Sequence, residues 1–132
     1  MLNEGRVLTF VPVSDVDRAM HFYSDVLGLV VTDCSENYCA LDAGGVTIRL
    51  TLVVDRPTVE YTIVGWSVPD LAAAAAELVQ RGLAFHRYEG VNQDEYGAWT
   101  APNGDQIAWF SDPDGNILSL TQFANVPATT MV

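Results

Sequence analysis

Basic side chains are scarce: 6 Lys and Arg stand against 17 Asp and Glu, a formal charge of −11. A chain this acidic, with no basic cluster, repels phosphate backbones and anionic lipid, so neither a nucleic-acid nor a membrane partner is expected. Long apolar runs are also missing, and none approaches the ~20 residues that a spanning helix needs. Residues 1–6 show no basic region leading into an apolar run, which excludes a secretory signal there and predicts a cytoplasmic protein. Cysteine is confined to Cys34 and Cys39. Their spacing lacks the paired C-x-x-C of a zinc site. They are expected to be reduced, as two small apolar residues on neighbouring strands.

What is present describes a folded unit. Apolar residues make up 49% of the chain and charged residues 17%, a balance that supports a packed core and argues against disorder. A length of 132 residues fits one domain, 1–132.

The order of patterns repeats. Residues 7–13 are rich in β-branched side chains and run into Ser14-Asp15, a helix N-cap signal. Val16, Ala19, Met20, Tyr23, Val26 and Leu27 then recur as one helical stripe, closed by Gly28. The second half repeats this. Residues 61–68 read as a strand, Pro69-Asp70 starts a helix, Leu71, Ala74, Ala75, Leu78 and Val79 form the stripe, and Arg81-Gly82 ends it. The alanine run 72–76 has high helix propensity and little bulk, which suits a helix lying close on a sheet.

Three strands are predicted after each helix: roughly 29–33, 38–42 and 46–53, then 84–88, 106–110 and 116–121. The last pair is joined by Asp112-Pro113-Asp114-Gly115, a turn in which Pro113 presets φ and Gly115 accepts a positive one. The result is a βαβββ pattern met twice, about 6–55 and 58–123, with a short tail over 124–132. Each unit covers one sheet face with its helix and leaves the other bare, so the bare faces must bury something or enclose a cavity.

Three segments in order, 13–19, 22–29 and Asp112-Pro113-Asp114-Gly115-Asn116, resemble the vicinal-oxygen-chelate superfamily of glyoxalase, bleomycin-resistance and extradiol-dioxygenase proteins. The resemblance spans about residues 6–123. It implies an α+β fold in which two βαβββ modules pair into a half-open barrel with an interior ligand site. The segment 93–104 is similar to a loop found in small glyoxalase-like members. Metal-using members carry a His, Gln or Glu on the first and last strand of each module. Transferred by position, these places fall on Leu8, Arg49, Ile63 and Ser119. Two hydrocarbon side chains, a cation and a neutral hydroxyl make a poor donor set. No metal and no other cofactor is expected.

Alternation along strands puts Phe10 and Pro12 on the face of Leu8, with Val7, Val11 and Val13 under the helix. It groups Ile63, Gly65 and Ser67, then Thr47, Arg49 and Thr51, then Ile117, Ser119 and Thr121, while Trp66 faces the core. Arg49 is an anion clamp with its planar fork, half of an internal ion pair, or a head reaching solvent at the cavity mouth. Tyr96 and Trp99, in a long loop over 89–105, close over a planar ligand or anchor the loop. Trp109 belongs to core or pocket. His86 reads as a satisfied rim residue, and no carboxylate falls at an inward strand position, so catalytic residues are not assigned.

The candidate ligand-binding residues are therefore Leu8, Phe10, Arg49, Ile63, Ser67, Tyr96, Trp99, Trp109, Ser119 and Thr121. The expected function is metal-independent binding of a small organic molecule, with an anionic ligand suited to Arg49. A metal-dependent lyase, isomerase or dioxygenase is the alternative, and a ligand-sensing or partner-binding module a further one. An exposed sheet edge in each module predicts a homodimer.

Overall fold

The computed structural model describes residues 1–57 and 59–124. The chain divides into two compact units, Met1–Thr58 and Val59–Val132. After a short 3-10 turn at Leu2–Glu4, the first unit runs β1 (Leu8–Val13), α1 (Val16–His21), β2 (Val30–Cys34), β3 (Tyr38–Asp42) and β4 (Thr47–Leu52). The second runs β5 (Thr62–Ser67), α2 (Leu71–Gln80), β6 (Trp99–Thr100), β7 (Gln106–Ser111) and β8 (Ile117–Gln122). The sheets are ordered β1-β4-β3-β2 and β5-β8-β7-β6. In each, the first strand is parallel to the last and the remaining pairs are antiparallel. The duplicated α+β plan read from the sequence is the plan observed.

Both helices begin as their sequences direct. The Asp15 carboxylate accepts from the Arg18 amide at 3.0 Å and the Asp70 carboxylate from the Ala73 amide at 3.1 Å, each satisfying a donor with no intrahelical partner. The first helix does not continue as regular α structure to residue 27. It widens into a π-helical turn over Phe22–Val26, where Ser24 Oγ donates to the Met20 carbonyl at 2.8 Å. A hydroxyl bonded back onto the ladder in this way competes with the regular backbone bond and loosens the turn.

The core of the first unit lies between α1 and the sheet. Val11, Val13, Cys39, Leu41, Ile48 and Leu50 meet Ala19 and Tyr23, and all are essentially inaccessible. In the second unit Ala108, Phe110, Leu118 and Leu120 face Leu71 and Ala75, and α2 packs on β8. Trp66 stacks on Phe110 with centroids 6.5 Å apart, on the core side as parity predicts. Burying a side chain of this size stabilises the fold by about 1.5–3 kcal/mol. The helical stripes are fully buried at Ala19, Tyr23, Leu71 and Ala75, while Val79 remains 47% exposed. Val7 precedes β1 and lies open, not under the helix.

Two further expectations are corrected. Residues 84–88 are not a strand, and the edge strand of this sheet is β6, inside the segment read as a loop. The cause is Gln93. Its amide nitrogen donates to the carbonyls of His86 (2.9 Å) and Gly97 (2.8 Å), and its oxygen accepts from the Tyr88 amide at 2.8 Å. One side chain thus takes the backbone groups that a neighbouring strand would have used. The cysteines are not free thiols: Cys34 and Cys39, directly opposite on β2 and β3, form a disulfide with Cα atoms 4.2 Å apart. The expected tail falls, from residue 125 on, outside the described residues.

Candidate functional site

In the first unit the face away from α1 carries the predicted residues. Leu8 and Phe10 on β1 are 50% and 59% exposed. Strand register sets Arg49 of β4 between Phe10 and Ala40 of β3. The guanidinium carbon lies 3.9 Å from the centre of the Tyr38 ring, so a π face holds the cation, a contact of roughly 0.5–1 kcal/mol at an accessible site. The Tyr38 hydroxyl donates to Asp33. That hydrogen bond, followed by the negative charge of Asp33, raises the Tyr38 pKa above the usual tyrosine value, while Arg49 pulls it the other way. Asp33 therefore acts on Arg49 through an intervening phenol. The Arg49 guanidinium is thus stacked on an aromatic face.

In the second unit Ser119 of β8 is set between Gly65 of β5 and Trp109 of β7. The approach at Gly65 is close: a Cβ there would sit 2.7 Å from Ser119 Oγ. Ser119 is buried, 6% exposed. One step along, Thr121 lies between Ser67 and Ile107, and Ile107 in turn pairs with Trp99 of β6. Ile63 sits at a register irregularity between Thr62 and Val64 and is half-buried. Tyr96 belongs to a turn organised by Asp94, whose Oδ1 accepts from the Tyr96 and Ala98 amides at 2.9 Å each.

Trp109 gathers rings from the loop side. Tyr88 meets it edge-on, with centroids 5.6 Å apart at 82°, and Trp99 lies 6.5 Å away at 30°. Beside this cluster a cavity of about 250 Å³ opens, lined by Glu60, Tyr61, Thr62, Tyr88, Val91, Trp109 and Ile117. Of these residues only Trp109 was a candidate on sequence grounds. Glu60 precedes the strand read over 61–68, Tyr61 shares the parity of Ile63 but was not singled out, and Tyr88 lies in the segment misread as a strand. His86 shares the region but is engaged at both ring nitrogens, Nε2 with Ser111 Oγ at 2.8 Å and Nδ1 with the Tyr88 hydroxyl at 3.1 Å. It is the satisfied residue expected.

The metal positions transferred from relatives can now be tested against this geometry. Leu8 and Ile63 offer only carbon, Arg49 brings a positive charge stacked on Tyr38, and Ser119 offers one neutral hydroxyl. These residues do not fit a divalent ion. Among the described residues no group of three or more His, Cys, Asp or Glu side chains is placed to hold one.

Known proteins with this architecture are numerous. A glyoxalase/bleomycin resistance protein/dioxygenase from Alicyclobacillus acidocaldarius is 21% identical, with a TM-score of 0.71, 92% of this chain covered and 93% of that one. A member of the same superfamily from Sphaerobacter thermophilus is 22% identical, with a TM-score of 0.70 and 92% and 99% coverage. A putative glyoxalase family protein from Bacillus anthracis is 17% identical, with a TM-score of 0.67 and 90% and 93% coverage. At such identities the likeness is one of fold. No curated protein matches the chain. The family model described as Glyoxalase/Bleomycin resistance protein/Dioxygenase superfamily matches residues 6–120, nearly the whole chain, and the chain belongs to that superfamily.

Proposed function

We propose that this protein binds a small organic molecule on the sheet faces turned away from its helices, and that it does so without a metal. The observation that carries the reading is the replacement of a donor set by Leu8, Ile63, Arg49 and Ser119 on a scaffold otherwise intact. Apolar and aromatic side chains with a few polar groups are the usual lining of small-molecule sites, and Phe10, Trp99, Trp109, Thr121 and Ser67 have that character. Arg49 is the anchor for an anionic group: its charge is fixed, it cannot act as a Lewis acid, and it supports binding rather than metal-type chemistry.

Elemental analysis of protein purified without chelator, together with zinc, nickel, manganese and iron(II) titrations by calorimetry, tests the reading. The expected result is no stoichiometric ion and no saturable heat. One ion per chain would overturn it.

A further inference from the structure

Beyond binding of small molecules in general, we propose that the cavity beside Trp109 is a site for a small organic cation of the quaternary-ammonium class. The proposal rests on the reading above only in taking this sheet face as a ligand surface; its residues are separate from Arg49.

Three aromatic rings, those of Tyr61, Tyr88 and Trp109, line the cavity. Tyr88 and Trp109 meet edge to face, 82° between planes, and both border the space. The faces of such rings carry the negative part of the π quadrupole and attract a cation desolvated against them. Glu60 adds a carboxylate, and among the described residues no Arg or His lines the space. An anion would meet Glu60 at close range within a chain of formal charge −11, a repulsive field. A primary ammonium would need an acceptor for each of its three N–H groups, drawn from Glu60 and the Tyr61, Thr62 and Tyr88 hydroxyls. Val91 and Ile117 offer the apolar contact that N-methyl groups favour. At about 250 Å³ the space lies below the roughly 300–1,000 Å³ of drug-sized sites, which selects a compact head group.

The test compares choline with 3,3-dimethylbutan-1-ol, its uncharged isostere, by titration calorimetry and tryptophan fluorescence on the full chain. Choline is expected to bind saturably, and the alcohol about tenfold more weakly or worse. Tyr61→Ala, at a residue 66% exposed whose loss leaves the core intact, should weaken choline severalfold. Glu60→Gln should weaken choline and leave the alcohol unchanged. Circular dichroism confirms that both variants are folded. Equal affinity for choline and the alcohol would overturn the cation class while leaving a small-molecule site in place. Binding of neither, or choline binding unmoved by Tyr61→Ala and Glu60→Gln, would remove the cavity as a site without touching the case for Arg49.

Discussion

At the scale of the residue, Arg49 concentrates the chemistry of the first unit. Hydrogen bonds to charged groups contribute about 1.5–3 kcal/mol, so Arg49→Ala should weaken an anionic ligand by roughly one to two orders of magnitude. Calorimetry with benzoate as a planar carboxylate probe measures this. Arg49→Lys should recover only part of the loss, because a point charge reproduces neither the fork nor the stacking on Tyr38. Unchanged affinity in a folded Arg49→Ala protein would return Arg49 to a structural role. The phenol beneath it gives a second prediction. Since folding raises the Tyr38 pKa, chiefly through the bond to Asp33, this contribution to stability is complete below the ordinary tyrosine value and fades as pH climbs through the raised one. Asp33→Asn should move the phenolate absorbance transition of Tyr38 to lower pH. The facing of Leu8, Phe10 and Arg49 was legible because strand alternation leaves little choice. The stacking of Arg49 on Tyr38 was not, because Tyr38 lies diagonally across, paired with Thr51, and register is absent from a strand's own pattern.

At the scale of the element, the legible features were those with a local cause. Asp15 and Asp70 cap their helices through their own sequence neighbours. The Asp112 turn is equally local: its carboxylate accepts from the Asp114 and Asn116 amides and from the Asn116 side chain, at 3.0, 2.9 and 2.8 Å. The misread segment 84–88 has a cause five and more residues away, in Gln93, and no periodicity announces it. The Cys34–Cys39 bond was missed for a different reason. A spacing of five reads as a disulfide only once a turn at 35–38 sets the two residues opposite each other. That turn is marked by the Ser35 amide donating to the Tyr38 carbonyl at 2.8 Å. A loop this short still restricts the unfolded chain. Reduction, or Cys39→Ser, should therefore lower stability by about 2 kcal/mol, read as a shift of the urea midpoint with and without reductant.

At the scale of the whole molecule, all 6 basic residues are arginines and the chain has no lysine. Its surface charge is overwhelmingly carboxylate. Sheet edges are where a second copy would add on. Every residue of the edge strand β2 is exposed, with Val30 at 65% and Val31 at 39%. We expect a homodimer by sedimentation velocity, converted to monomer by Val30→Lys, since a charge on an edge strand opposes pairing. A monomer at all concentrations would remove the expectation. The parallel pairing of first with last strand in each unit also bears on how the chain reaches this state. The hairpins β3–β4 and β7–β8 need only short turns, whereas Leu8 must find Thr47 and Val64 must find Leu118. Closing the longer loops costs more chain entropy before any contact offsets it. Each unit should assemble from its hairpin outward and admit its first strand late. Until that strand docks, β4 and β8 stand as open edges, the surfaces of each unit most open to aggregation during folding.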